Sequence, residues 1–174
     1  LKIDTSRLSI ALTEHPRDEM DPDSVLRVFN SNPDFIDDSE GRVGKSAYTI
    51  DEVAGWEMFQ RPVREHQRYF AIRPKGGDEL IGMGDMLTPH PSGNWAALGL
   101  LIMHREWQSR GLGREAADAI ETMLAGERWP ELELVVLQVR ARSRRFWESC
   151  GYRYLRDSTN ETQQPVWVFR KPLI

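Results

Sequence analysis

Cysteine is almost absent: Cys150 is the one thiol in 174 residues, which excludes an internal disulfide and any metal site built from several cysteines. Long apolar runs are missing too. No stretch approaches the ~20 residues of a membrane span, and no signal-peptide pattern opens the chain. Neither sign of charge dominates. The 23 Lys and Arg stand against 27 Asp and Glu, a net charge of −4, which disfavours broad binding of nucleic acid. His15, His66, His90 and His104 show no metal-ligand spacing, and Gly44-Lys45-Ser46 lacks the earlier glycine of a P-loop. Repeats and low-complexity segments are also lacking. What remains is 40% hydrophobic and 29% charged, the profile of one globular domain over residues 1–174 with no metal, no membrane segment and a cytoplasmic location. The chain begins at Leu1, so its natural start is left open.

Hydrophobic periodicity sets the expected elements. Leu8, Ile10 and Leu12 alternate as in a half-buried strand over residues 7–13. Ser24 is placed to cap a short helix carrying Val25, Val28 and Phe29. Residues 30–44 are rich in Asp, Asn, Pro and Gly and read as an exposed loop. A second helix is expected from Asp51 to about Arg61, with Pro62 near its end. Strands over 69–73, 80–87 and 95–103 follow, and Gly82 and Gly84 within the second imply a bulge or a close backbone approach. Leu112, Ala116, Ala119, Ile120, Met123 and Leu124 recur at helical spacing. The apolar, β-branched run 132–139 reads as a strand covered on both faces, then come a short helix over 143–150 with Gly151 at its C′ position and strands over 152–156 and 166–170. The order β-α-α-β-β-β-α-β-α-β-β implies an α/β (α+β) fold, a mixed sheet of about seven strands flanked by about four helices.

The most informative stretch runs from Leu100 to Arg114, where an apolar strand enters the longest helix through Gly111-Leu112-Gly113. Glycines let the backbone turn tightly and approach a bulky anion, and free N–H groups at a helix start favour phosphate. Arg110 and Arg114 add candidate charge-assisted contacts. A Gly-x-Gly triplet alone is expected about once by chance at ~7% glycine; the preceding Gln108, the strand and the helix together make accident improbable.

Gln108-Ser109-Arg110-Gly111-Leu112-Gly113 resembles the Gln/Arg-x-x-Gly-x-Gly/Ala signature of the GNAT superfamily of N-acetyltransferases. Leu80-Ile81-Gly82 is similar to that family's third strand, and Phe146-Trp147-Glu148-Ser149-Cys150-Gly151-Tyr152 to its late helix. The resemblance implies a mostly antiparallel GNAT-like acyl-CoA N-acyltransferase fold. It also implies acetyl-CoA as acetyl donor and a primary amine as acceptor. By the same likeness, Leu101, Ile102 and Met103 flank the acetyl group and pantetheine arm, while Gln108, Ser109, Arg110, Gly111, Leu112, Gly113 and Arg114 hold the pyrophosphate. The strands over 95–103 and 132–139 would splay to admit the coenzyme. The likeness also admits a homodimer.

The sequence departs from the family at both proton-handling positions. Where many members carry a late-helix Tyr, this chain has Trp147, whose indole N–H is no acid; it is assigned to the cofactor pocket wall, and Ser143 one turn earlier is the first substitute donor, with Cys150, Tyr152 and Tyr154 nearby in sequence as the others. Where many carry a strand Glu, Ala96-Ala97-Leu98 is apolar. Asp85, a lone acid in an apolar strand, is the substitute general base, ahead of Glu57 and Glu106. Asp34, Asp37, Asp38 and Glu40 are placed to attract a cationic amine, and Arg140, Arg142, Arg144 and Arg145 to face a coenzyme phosphate. An acyl-CoA-binding module without turnover is the alternative function; nucleic-acid contact through the arginine cluster is a third, weaker one.

Overall fold

The computed structural model describes residues 1–41, 44–61 and 65–174; Pro62, expected to close the second helix, lies outside them. Eight strands form one sheet in the order β1-β2-β3-β4-β5-β6-β8-β7, with β1 at Lys2–Asp4, β2 at Leu8–Thr13, β3 at Gln67–Pro74, β4 at Gly82–Leu87, β5 at Ala96–Met103, β6 at Glu131–Leu137, β7 at Arg153–Thr159 and β8 at Pro165–Pro172. Every pairing is antiparallel except that of β5 with β6. Six α-helices complete the described residues: α1 (Pro22–Asn30), α2 (Pro33–Glu40), α3 (Ile50–Ala54), α4 (Glu57–Gln60), α5 (Leu112–Gly126) and α6 (Ala141–Ser149). The expected mixed sheet is present, with one more strand and two more helices than the periodicity implied.

The sheet has a core on each face. On one, Leu112, Ala116, Ile120 and Leu124 of α5 pack with Ile10, Phe70, Leu132 and Phe169; full burial of each large side chain contributes about 1.5–3 kcal/mol. On the other, Val25, Val28, Ile36 and Val53 of α1–α3 pack with Tyr69, Met83 and Ile102. Tyr69, Asp85 and Leu100 are register partners across β3, β4 and β5, which puts Asp85 on this second face.

Several local expectations are corrected. Residues 30–44 are not simply a loop: Pro33 stands in the first turn of α2 and Gly41 ends it at φ 62°, while buried Ile36 anchors it. The first helix is capped by Asp21, which accepts from Ser24 N at 2.9 Å, so Ser24 lies inside it. The second expected helix is two short ones, the first opened by a Thr49–Glu52 capping box rather than by Asp51. The run expected to be covered on both faces exposes Val135 to 48%. Gly82 and Gly84 do mark close approach, because a Cβ on either would collide with β5, at Ile102 O and at Leu100 O respectively. The bulge lies one residue on, between Asp85 and Met86.

Candidate active site

The site begins where the sheet opens. Strands β5 and β6 pair only over Ala96–Leu98 and Leu132–Leu134. From Leu100 to Met103, β5 therefore has a strand partner on its β4 side alone, Gly99 stands outside both ladders, and among the described residues no strand pairs with the edge facing β6. The wedge between the strands holds a cavity of about 240 Å³. Leu101, Leu134 and Val136 supply apolar wall, Phe35 and Ser39 of α2 close one side, and Ser143 and Trp147 of α6 close the other.

At the mouth of the wedge, the loop into α5 turns through two left-handed residues, Ser109 at φ 59° and Gly111 at φ 77°. Glycine suits the second of these. The backbone N–H groups from Ser109 to Arg114 have no acceptor among the described residues; the first helical bond after them runs from Glu115 N to Gly111 O at 3.0 Å. Six adjacent unbonded donors at the positive end of a 15-residue helix make a candidate anion seat.

The side chains around this seat are divided in their tasks. Gln108 Nε2 donates to Met103 O at 2.8 Å and to Asn32 Oδ1 at 2.6 Å, while buried Asn32 donates to Met103 O at 3.0 Å. Gln108 thus ties the end of β5 to the start of α2, and its amide group is already engaged. Arg114 donates to Ser149 O at 2.6 Å, which satisfies a carbonyl at the end of α6. Arg110 stacks over Trp107. Of the α6 arginines, Arg142 reaches the seat, donating to Ser109 Oγ at 3.0 Å. Arg140 pairs with Asp38 and Arg144 with Glu148.

Arg7 is a further contributor, one that no motif or spacing marks. Its Nη1 donates to Arg110 O at 2.8 Å and its Nε to Glu115 Oε2 at 2.7 Å. Glu115 also accepts from Thr5 Oγ1, Ser6 Oγ and Arg7 N. Desolvation raises the Glu115 pKa, but these hydrogen bonds outweigh it and hold the carboxyl at about 2. The start of β2 is thereby bolted to the first turn of α5.

Asp85 sits on the opposite face from that loop. The residue keeps partial exposure, but its carboxyl is enclosed by protein, and burial alone raises its pKa to about 6. It has no hydrogen-bond or ion-pair partner among the described residues. Its Oδ1 lies over Gly99, which lines the wedge. Ser143 Oγ, on the far wall, accepts from Arg140 Nε at 3.4 Å. Trp147 is buried between Phe146 and Tyr152 and lines the wedge, with its indole in edge contact with both rings. Ile102 is buried toward α1–α3 rather than toward the wedge.

One expectation reads differently in three dimensions. The acidic residues 34–40 are engaged: Asp34 with Arg105, Asp37 with Gly44 N, Asp38 with Arg140 and Glu40 with Tyr48. The described residues contain no group of three or more His, Cys, Asp and Glu arranged to hold a metal ion, and none of their helices is long and apolar enough to cross a membrane.

The architecture has close counterparts. An acetyltransferase from Thermus thermophilus superposes with a TM-score of 0.74 at 24% identity, over 95% of this chain and 96% of that one. The spermidine/spermine N-acetyltransferase SpeG from Vibrio cholerae gives 0.63 at 16% identity, over 97% and 94%. The ribosomal-protein-S18-alanine N-acetyltransferase from Escherichia coli gives 0.60 at 12%, over 94% of each. No curated protein matches the chain by sequence. The profile of the Acetyltransferase (GNAT) family matches residues 17–152, a span that takes in the opened sheet, the anion seat and α6, and the chain belongs to that family.

Proposed function

We propose that the protein transfers an acetyl group from acetyl-CoA directly to a primary amine. The observation that carries this reading is the wedge itself. It lies between a seat of unbonded amides and an enclosed, unpaired carboxyl, the two on opposite faces of one sheet.

The residues fit the donor. The amides of Ser109 to Arg114 suit the pyrophosphate, and Arg142 stands beside them. The unpaired β5 edge from Leu100 to Met103 offers backbone groups to the pantetheine arm and the thioester carbonyl, with Leu101 and Trp147 as apolar wall. Met103 O is excluded from that role, because Asn32 and Gln108 already occupy it. Fixed amide dipoles aimed at a carbonyl oxygen stabilise the negative charge that develops there.

Proton handling falls to two side chains. As the amine lone pair attacks the thioester carbon, the nitrogen becomes acidic and Asp85 accepts its proton, relayed by water if needed. A carboxyl held near pKa 6 is ionised at neutral pH yet more basic than a surface aspartate. Ser143 receives a hydrogen bond from the Arg140 guanidinium, which leaves its own hydroxyl hydrogen free to meet the departing thiolate. The acceptor enters on the α1–α4 face, where Asp85 lies.

One observation favours the second reading, an acyl-CoA-binding module without turnover: no Tyr, Cys or His lines the wedge among the described residues. Acetyl-CoA added to the protein should raise its melting temperature, and Gly111→Val should abolish that rise. Thiol release across a panel of amines then separates enzyme from binder. Stabilisation without thiol release from any amine selects the module; no stabilisation at millimolar acetyl-CoA rejects both.

A further inference from the structure

We infer that Gly99 is a positioning residue, whose missing side chain lets the Asp85 carboxyl reach across from β4 and occupy the place on β5 above the wedge. This rests on the reading of Asp85 as the base. Three observations support it. A Cβ built on Gly99 would overlap Asp85 Oδ1 and stand 3.2 Å from its Cγ. The β4–β5 register slips between Asp85 and Met86, so that Asp85 pairs with Leu100, Met86 pairs with Leu98, and Gly99 is the extra residue of the bulge. Gly99 is also absent from the residues of positive φ, so its backbone conformation does not call for glycine. Space is what calls for it.

The other glycines of these two strands are enclosed by backbone and core. A Cβ on Gly84 meets Leu100 O and the Phe70 ring, and one on Gly82 meets Ile102 O and Met103. At Gly99 alone of the three, the first obstacle is an ionisable group, and that group has no other partner among the described residues. A bulge adds local twist and re-aims side chains. Here it brings the carboxyl from the middle strand of a row, Tyr69–Asp85–Leu100, over the strand that borders the wedge. The chain thus keeps an acid against Gly99, which lines the wedge, while the segment before Gly99 stays apolar.

The geometry predicts a conditional effect. A methyl at position 99 should do harm only while Asp85 is present, because it displaces that carboxyl and the next nearest heavy atom, Asp85 O, stands at 3.8 Å. The test is a cycle of Gly99→Ala, Asp85→Ala and the double variant, read by amine kinetics from pH 6 to 10 and by melting temperature. Gly99→Ala should lower kcat about 10- to 100-fold at pH 7 with KM for acetyl-CoA within about threefold. In the Asp85→Ala background, the same methyl should change kcat less than twofold and leave the melting temperature unchanged. A further double variant, D85A/G99D, presents the carboxyl from β5 itself and should recover at least tenfold of the kcat lost in Asp85→Ala, with its acid limb restored. Equal losses from the methyl in both backgrounds, in rate and in melting temperature, would overturn the inference. Full activity of Asp85→Ala would instead reject the base assignment, while a melting-temperature loss confined to the Asp85 background would still uphold the steric coupling.

Discussion

An enclosed carboxyl with no partner among the described residues is costly to fold around, so Asp85 makes a prediction about stability as well as rate. Its folded pKa of about 6 lies above its ordinary value of 3.8. The folded state therefore binds the proton more tightly between those values, and stability falls as pH rises through that window. Replacing the carboxyl by an amide of the same shape removes the penalty. Asp85→Asn should be more stable than the parent at pH 8, by on the order of 2 kcal/mol, and the gain should fade to nothing by about pH 4. Denaturant melts at the two pH values check this; a variant less stable at pH 8 would show that Asp85 has an attractive partner. The same variant should lose amine turnover at pH 7 and recover part of it near pH 10, where more of the acceptor is already neutral. Sequence pointed to Asp85 as an acid out of place in an apolar strand. It could not point to Gly99, because the contact between them exists only after a bulge sets the register. Gln108 shows the converse: its place in the signature was legible, but its engagement with Met103 O and Asn32 was not.

Among the elements, the seat at the start of α5 depends on the β1–β2 connection, more than 100 residues earlier. Arg7 and Thr5 hold Glu115, and Arg7 also holds Arg110 O, so the loop is fixed before any anion arrives. Glu115→Gln keeps the shape but loses the charge that Arg7 pairs with. We expect acetyl-CoA affinity to fall about three- to tenfold with little change in kcat, and stability at pH 7 to fall by about 1 kcal/mol, allowing for solvent screening. Because the Glu115 pKa is depressed to about 2, its contribution is complete above the ordinary carboxylate value of 4.5 and is lost as pH falls through about 2. The difference between parent and variant should shrink over that interval in acid titrations. A constant difference would place the effect in packing instead. The α5 loop itself was readable from Gly111, Gly113 and the apolar face of Leu112, Ala116 and Ile120. Helix α2 was not, because Asn32, Pro33, Asp34, Asp37 and Asp38 have turn-forming composition; its single buried anchor, Ile36, is too little to impose a helical period. Strand β1 is only three residues long, below the length at which alternation can be recognised.

As a whole, the molecule is a sheet of two unequal parts, β1–β5 and β6–β8–β7, joined strand to strand over only three residues on each side of the wedge. Helix α5 bridges them through the core, but on the other face the bridge is largely polar. Asp38 of α2 accepts from Arg140, the residue just before α6, at 2.6 Å, and Asp38 O accepts from Gln164 Nε2 in the β7–β8 turn at 2.7 Å. Arg140 also lies over the Phe35 ring. One residue of the first part therefore latches two elements of the second, directly above the cavity that Phe35, Arg140 and Asn160 help to line. Asp38→Asn should weaken the ion pair while leaving the backbone bond to Gln164 in place. A partly buried pair of this kind is worth about 1 kcal/mol, or roughly 2–4 °C in melting temperature for a domain of this size. If the latch joins the two parts, the loss should be accompanied by faster hydrogen exchange in α6 and at the β6 edge, with β2 and β3 unchanged. A ligand that spans the wedge joins the same two parts and stabilises the folded state by about 2.7 kcal/mol at a hundred times its dissociation constant. Saturating acetyl-CoA should therefore restore protection of α6 in Asp38→Asn to that of the liganded parent. Exchange that rises uniformly over the sheet, or that coenzyme leaves unchanged, would mean that Asp38 stabilises α2 alone.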